Sequence, residues 1–256
     1  MINNYKNLMQ KINSLKYLPH SILLIGDYGS GHDDVCDYIA NKFGLIKFDI
    51  TENLSLDIIN DVLSTCEMSL YTIDMSMIDE RKQNMLLKLY EEPNEYTYII
   101  LKCEYEDLVL DTIKSRSYKL LFDKLSKSQL NEYIYNDNEL ILNVCTTKGQ
   151  IDIANNTDMK SLYDLCSKML TSMSSANFQN TISIANKINF KDDYDKFDFR
   201  LFLKVLKYQL LNVDAKNKLI ICEDINECGR YINSMNNKQQ YFENFLIKMW
   251  QHSKLV

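Results

Sequence analysis

Short apolar runs alternate with amphipathic segments along the first half of the chain. The first run, Ser21-Ile22-Leu23-Leu24-Ile25, precedes three closely spaced glycines and a segment at 33–43 with helical periodicity. Four further runs have the length and composition of strands. These are Leu45 to Ile50, Leu70 to Ile73, Thr97 to Cys103 and Tyr118 to Phe122. Because strands that alternate with helices usually form a parallel sheet covered by helices, the pattern predicts an α/β fold.

Helical patterns replace the strand pattern after Asp123. Three helices are predicted in the next stretch. They cover 126–135, opened by a capping box of Ser126 and Gln129, then 139–145, ending before Gly149, and finally 158–170, capped by Asp158. Together they predict a small helical domain.

A second helical domain is predicted after the serine-rich segment 172–176, which has the composition of a joint. Two apolar stripes at helical spacing follow it. They are Phe199, Phe202, Leu203, Leu206 and Leu210, and then Phe242, Phe245, Leu246 and Met249, with Trp250 beside them. We interpret the second stripe as a core face rather than a partner surface, because amphipathic helices usually bury their apolar side in their own domain. The predicted domains are therefore 1–123, 124–172 and 173–256.

Composition narrows the class of protein further. The chain has 256 residues, 46% of them hydrophobic, and a net charge of −6, so any contact with DNA has to be local or shared with a partner. No apolar run has the ~18 residues of a membrane span, and the first residues do not resemble a signal peptide, which predicts a soluble cytoplasmic protein. The seven cysteines form no CxxC pair and the three histidines no zinc spacing, so we expect buried reduced thiols and no metal site.

Residues 26–33, Gly-Asp-Tyr-Gly-Ser-Gly-His-Asp, occupy the frame of a Walker A phosphate loop, G-x-x-x-x-G-K-[ST]. Gly26 and Gly31 hold the frame positions, with Gly29 between them, whereas His32 and Asp33 replace the lysine and the Ser/Thr. Histidine is mostly neutral near pH 7, and an aspartate repels phosphate. We therefore predict a degenerate loop that does not bind ATP, in which the glycines maintain the turn and the carboxylates stabilise the helix dipole.

The sequence Ile73-Asp74-Met75-Ser76 stands where the acidic pair of a Walker B motif would follow its strand. Asp74 could still bind Mg²⁺, but Met75 replaces the glutamate that would polarise the attacking water. An alternative is an active ATPase in which Asp33 binds the metal directly. The combined loss of the lysine and the glutamate favours a noncatalytic site.

Two further motifs carry a family resemblance. Residues 83–93, Gln-Asn-Met-Leu-Leu-Lys-Leu-Tyr-Glu-Glu-Pro, resemble the N-A-L-L-K-x-L-E-E-P signature of DNA clamp-loader AAA+ subunits. Residues 111–117, Asp-Thr-Ile-Lys-Ser-Arg-Ser, resemble the T-[IL]-x-S-R-C element of the same family. The step from Asp74 to Asn84 is similar to that of the delta-prime subunit of the DNA polymerase III clamp loader, whose phosphate loop is typically degenerate. The resemblance is clear over 18–122 and only architectural afterwards.

The resemblance implies a P-loop AAA+-like domain at 1–123, a helical lid at 124–172 and a helical collar for oligomerisation at 173–256. It also implies a delta-prime-like subunit that supports the loader ring and supplies Arg116 as an arginine finger to a neighbouring ATP site. No cofactor would be bound by the chain itself, and ATP with Mg²⁺ would lie in the neighbour. The implied partners are clamp-loader ATPase subunits, the sliding clamp and, through the assembled complex, primed DNA, with no membrane.

Several positions depart from the family pattern. Ser117 replaces the usual cysteine, Cys103 stands where a polar sensor residue is common, and Gly149 is followed by Gln150 rather than by a second sensor arginine. The zinc-binding cysteine cluster of bacterial relatives is also absent, which fits a diverged lineage such as that of a phage or of an AT-rich genome. A second hypothesis is therefore a mimic that inserts into a host loader and inhibits it. Lys114, Arg116 and Lys119 could instead contact DNA phosphate or an acidic partner, and the two lysines could also form a solvated face.

Overall fold

The chain divides into two compact units, Met1–Ser126 and Lys127–Val256. The computed structural model describes residues 5–135, 138–174, 179, 183, 198–213, 217–235 and 237–254. The first unit ends close to the predicted boundary at 123. The division of the second half into a lid and a collar stays a prediction, and residues 175 and 176 of the expected joint lie outside the described residues.

The first unit is an α/β domain built on one parallel sheet. Its strands are β1 (Ser21–Ile25), β2 (Ile46–Asp49), β3 (Ser69–Asp74), β4 (Thr97–Cys103) and β5 (Tyr118–Leu121). Its helices are α1 (Lys6–Ser14), α2 (His32–Phe43), α3 (Leu56–Ser64), α4 (Glu80–Glu91) and α5 (Asp111–Lys114). The strand order is β2-β3-β4-β1-β5, and all four pairings are parallel. The predicted parallel, helix-covered sheet is confirmed. Each strand begins and ends within one residue of the ends of its predicted apolar run.

The three central strands, β1, β3 and β4, are buried on both faces, which explains why they appear in the sequence as continuous apolar runs, whereas the edge strands β2 and β5 are largely exposed. Leu23 lies in the core between the sheet and α3, α4 and α5. Its neighbours Ile22 and Leu24 point to the opposite face and pack with Val35 and Ile39 of α2. Polar side chains of the sheet are consequently concentrated near the two ends of the strands.

Helix α1 was not predicted, although Leu8 and Ile12 give it a buried face. Its first turn is capped from a distance by Asp123, which follows β5. The Asp123 carboxylate accepts hydrogen bonds from the Asn7 backbone N–H (2.9 Å), the Asn7 side-chain amide (2.8 Å) and the Leu8 N–H (3.4 Å). A cap so remote in sequence leaves no local signal at the start of the helix.

The described part of the second unit is helical. It contains α6 (Lys127–Asn131), α7 (Glu139–Val144), α8 (Lys148–Asn155), α9 (Met159–Ser174), α10 (Phe199–Asn212), α11 (Lys218–Tyr231) and α12 (Lys238–Lys254). Both predicted apolar stripes are buried, and Phe199, Phe202, Phe242 and Phe245 form one aromatic cluster. The interpretation of the last stripe as a core face is confirmed.

Two helix predictions in this unit need correction, and one helix was missed. The helix expected to continue to Tyr135 ends at Asn131, since only Leu130 is buried and little packing supports a longer helix. The helix expected at 139–145 is confirmed as α7, which ends before Gly149. Helix α8, which contains Gly149, was not predicted; Thr147 caps it by accepting a hydrogen bond from the Gln150 N–H at 3.3 Å. Helix α9 continues past Leu170 into the expected joint.

Helices expected in separate domains pack together in this unit. The Gln209 side chain on α10 donates to the Tyr163 carbonyl on α9 at 2.7 Å and accepts from the Ser167 hydroxyl at 3.1 Å. Gln209 is buried, so both bonds are shielded from water. The paired amide fixes the register of the two helices.

None of the helices described here is both long and apolar enough to cross a membrane. All seven cysteines are free, and six are buried. The expectation of buried thiols is wrong only for Cys66, which lies exposed in the turn after α3.

We predict that Asp123→Ala lowers the free energy of unfolding by about 1 kcal/mol, because the first turn of α1 loses its capping carboxylate. Urea unfolding measures the change. Glu52→Ala, which removes an exposed carboxylate elsewhere in the same unit, is the matched control and should be neutral. Equal stability of the two variants would contradict the capping role.

Candidate functional site

The turn between β1 and α2 depends on its glycines. Gly29 has φ of 75° and Gly31, the N-cap of α2, has φ of 92°, which are left-handed conformations that other residues adopt at a cost. Gly26 is required for another reason, since a Cβ atom there would lie 2.4 Å from Cδ2 of Phe122. The structure therefore has the strand, glycine turn and helix that the sequence predicts.

His32 begins α2 and provides no fixed positive charge to this turn. Its ring packs against the ring of Phe122, with centroids 4.8 Å apart. Burial lowers the pKa of His32, and this effect outweighs the opposite influence of the carboxylates of Asp74 and Asp33. The imidazole is consequently neutral at pH 7, as expected for a histidine that stands in place of the Walker A lysine.

Asp33 is engaged by a lysine that the sequence analysis did not single out. Lys102 near the end of β4 places its Nζ 3.1 Å from Oδ1 of Asp33 and 2.8 Å from Oδ2 of Asp49 on β2. The Lys102 side chain is only 12% exposed, compared with 71% for Asp33 and 46% for Asp49. One buried ammonium thus links the start of α2 to the edge strand β2.

The ion pair between Lys102 and Asp49 shifts the pKa values of both side chains. Burial would lower the pKa of Lys102, but hydrogen bonds to Asp49 and Asp33 dominate and raise it above its usual value. Burial likewise opposes ionisation of Asp49, yet bonds from Lys102 and Thr51 lower the pKa of Asp49 to about 2. The Lys102 ammonium and the two carboxylates that it contacts have a formal net charge of −1.

Asp74 caps the short 3-10 turn Met75–Met77 at the end of β3. Its Oδ1 accepts hydrogen bonds from the Ser76 N–H at 2.9 Å and from the Ser76 hydroxyl at 2.7 Å. Its own N–H donates to the Thr51 hydroxyl at 2.9 Å. The Asp74 carboxylate, for which the sequence suggested a possible Mg²⁺ ligand, therefore serves as the cap of this turn.

Lys102 had one detectable sequence signal, which is a lysine inside the otherwise apolar run Thr97 to Cys103. A charged residue in such a strand is rarely buried without a partner. The pairing of Lys102 with Asp74 in the β3–β4 register places it on the α2 side of the sheet. Cys103 follows on the other side, where burial raises the pKa of its thiol to about 12.

Across the described ranges, no group of three or more His, Cys, Asp or Glu side chains is arranged to hold a metal ion.

Arg116 lies at the opposite end of the sheet, just before β5. Tyr118, the first residue of β5, pairs with Ile22 near the start of β1, whereas the glycine turn follows Ile25 at its end. The length of β5, roughly 13 Å, therefore separates the arginine element from the turn. The structure does not bring Arg116 together with His32, Asp33 or Asp74.

The guanidinium of Arg116 is exposed, and its Nη1 donates to the Thr112 carbonyl at 3.0 Å. Its two basic neighbours are neutralised within the chain, since Lys114 pairs with Asp111 at 2.7 Å and Lys119 with Glu106 at 2.6 Å. No carboxylate of the described residues pairs with Arg116. Of the three basic side chains considered in this element, the arginine is the one left available to a partner.

Comparisons with known proteins find a family match to part of the first unit and several solved structures of similar fold. A family described as DNA polymerase III, delta subunit, matches residues 70–126, the segment that contains α4 and Arg116. This match supports a relationship to the clamp-loader AAA+ family. No match is found among curated proteins.

Several solved structures are similar in fold. A DNA polymerase III gamma subunit-related protein from Thermotoga maritima is 15% identical, covering 98% of this chain and 100% of its own, with a TM-score of 0.46. The RuvB Holliday junction branch migration motor of the same organism is 17% identical, covering 78% of this chain and 75% of its own, with a TM-score of 0.48. AMPPCP-bound DnaA from Aquifex aeolicus is 12% identical, and the match covers 98% of this chain and 93% of the DnaA chain, with a TM-score of 0.45. Similarities at this level concern the fold alone.

We predict that Gly26→Ala destabilises the first unit by about 1–3 kcal/mol, because the new methyl group has no room beside Phe122. Thermal or urea unfolding of Gly26→Ala, Phe122→Ala and the double variant measures the coupling between them. The double variant should be more stable than the sum of the single losses implies. Strict additivity would contradict the close approach as the cause.

We predict that Asp49 stabilises the fold above about pH 4, and that this contribution is lost as the pH falls through about 2. The sign follows from a folded-state pKa below that of the unfolded chain. The difference in free energy of unfolding between the protein and Asp49→Asn should be roughly 1 kcal/mol near pH 6, because the side chain is nearly half exposed, and should shrink between pH 4 and 2. Glu52→Gln is the control, and a difference independent of pH would rule out the ion pair as its origin.

Proposed function

We propose that this chain is a noncatalytic, delta-prime-like subunit of a replicative sliding-clamp loader in the cytoplasm. It supports the ring structurally and supplies Arg116 as an arginine finger to the ATP site of a neighbouring subunit. ATP and Mg²⁺ are held by that neighbour. The partners are the loader ATPase subunits, the sliding clamp and primed DNA bound by the assembled complex.

The observation that carries this proposal is the position of Arg116. Its guanidinium is exposed, is unpaired with any described carboxylate, and lies at the end of the sheet away from the glycine turn of its own chain. It cannot reach a phosphate held at that turn, whereas the site of an adjacent subunit is open to it. A guanidinium can donate to the γ-phosphate and offset the charge that develops during phosphoryl transfer.

The chemistry of the glycine turn supports a noncatalytic role for this chain. His32 is neutral, and Lys102, the nearby buried cation, is already shared by two carboxylates. Asp33 places a negative charge in the first turn of α2, where a phosphate would otherwise gain from the helix dipole. A nucleotide would have to displace this ion pair to bind.

We predict that Arg116→Ala lowers ATP turnover of the assembled complex by about tenfold or more, because the neighbouring site loses its stabilising guanidinium. The tagged chain is purified from its native source with its partners, which mass spectrometry identifies, and turnover is measured with clamp and primed DNA. Arg81→Ala, an exposed arginine on α4, is the matched control and should leave turnover unchanged. The stability of the Arg116 variant should also be unchanged.

Four results would contradict the proposal. Recovery of the chain without P-loop ATPases, or equal turnover with Arg116→Ala, would contradict the role of Arg116 as an arginine finger. ATP hydrolysis by the pure chain that is abolished by His32→Ala and unaffected by Arg116→Ala would show an active ATPase with an altered loop. Slower clamp loading when the chain is added to a complete loader would instead identify an inhibitory mimic.

A further inference from the structure

The segment that carries Arg116 is attached to α4 at two places. The first is Gln83, which is buried near the start of α4. Its side-chain amide donates to the Leu108 carbonyl at 2.8 Å, and its oxygen accepts from the Leu110 N–H at 3.0 Å. Both backbone groups directly precede α5, so one side chain fixes the path of the chain into the arginine element.

The second attachment is a cluster of three hydroxyls beyond α5. The Tyr90 hydroxyl lies 2.8 Å from the Ser21 hydroxyl and 3.2 Å from the Ser117 hydroxyl, and the two serines are 3.0 Å apart. The Ser117 hydroxyl also donates to the Ile113 carbonyl at 2.9 Å, so it acts as an acceptor towards Tyr90. Burial raises the pKa of Tyr90, which keeps its phenol protonated as a donor.

Gln83 and Tyr90 are seven residues apart and therefore lie on the same face of α4, separated by two turns. Leu86 lies between them on this face and packs in the core with Ile113 of α5. The arginine element is thus held along one side of α4 by a polar contact at each end and an apolar contact in the middle.

Two of the three residues in the hydroxyl cluster are departures from the family motifs. Tyr90 stands where the clamp-loader signature has leucine, and Ser117 stands where the S-R-C element has cysteine. These two changes meet in space as a hydrogen-bonded pair. The pair joins α4, which carries the signature motif, to the residue that immediately follows Arg116.

We propose that Tyr90 and Gln83 are positioning residues for Arg116, an inference that rests on the proposed function. They act on the backbone rather than on the guanidinium. The Arg116 N–H donates to the Ile113 carbonyl at 3.1 Å, and that carbonyl also accepts from Ser117, which Tyr90 holds. An arginine finger is effective when it is held in place before the transition state forms, since no ordering then has to occur during the reaction.

Hydrogen exchange of the folded chain tests the attachment itself. Tyr90→Phe keeps the ring and removes the hydroxyl, and it should speed exchange of the amides of residues 115–117 by about five- to tenfold. Tyr38→Phe is the matched control, because it removes a comparable bond to Asn13 (2.7 Å) on the other face of the sheet, and it should leave these amides unchanged. Gln83→Met should speed exchange at residues 110 and 113–114. Unchanged exchange at 115–117 in Tyr90→Phe would overturn the proposal.

ATP turnover of the assembled complex tests the link to Arg116. Tyr90→Phe should lower kcat about five- to tenfold with little change in KM for ATP, because the neighbour still binds its own nucleotide. In an Arg116→Ala background Tyr90→Phe should have no further effect. An equal loss in both backgrounds would show that Tyr90 does not act through Arg116 and would overturn the proposal.

The two measurements also separate this inference from the proposed function. No effect of Arg116→Ala on turnover would refute the finger, and with it the positioning role, whatever the exchange data show. A large effect of Arg116→Ala combined with none of Tyr90→Phe would refute the positioning role alone.

Discussion

The three central strands of the parallel sheet are covered on both faces, which leaves only their ends for polar chemistry. Leu23 and its neighbours Ile22 and Leu24 are buried on opposite sides, so no polar side chain can be accommodated along the middle of β1 without a partner. Charged and hydroxyl groups therefore collect at the strand ends. The carboxyl end holds the glycine turn with Lys102, and the amino end holds Ser21, Ser117 and Arg116.

The two ends have different electrostatic character. At the carboxyl end, one buried ammonium is shared between Asp33 and Asp49, so the field of the helix N-terminus is already compensated by protein carboxylates. At the amino end, the lysines pair within the chain and Arg116 keeps its charge directed outward. The charge that could act on a bound phosphate is thus presented to other molecules.

The sequence predicted the three central strands well because burial on both faces produces apolar runs that need no tertiary information to recognise. It also located the glycine turn, since the conformations of Gly29 and Gly31 restrict those positions to one residue type. It failed where a partner is distant. Helix α1 depends on Asp123, and the partners of Lys102 come from two other elements, so neither contact leaves a local pattern. Helix α8 was missed for a different reason: Gly149 disfavours a helix locally, although Thr147 and Gln150 have the capping-box spacing that opens one.

The strand order has a consequence for how the first unit is made during synthesis. Among the strands of this sheet, β1 leaves the ribosome first, but it lies between the last two, β4 and β5, and the cap of α1 is a residue that follows β5. No stable subset of the sheet can therefore form around β1 early, and the pairings that complete it join residues about 75 to 100 positions apart. Contacts this remote make folding slow compared with local pairing. The α/β unit is expected to remain incomplete on the ribosome until Asp123 has left the exit tunnel, and then to fold as one cooperative step.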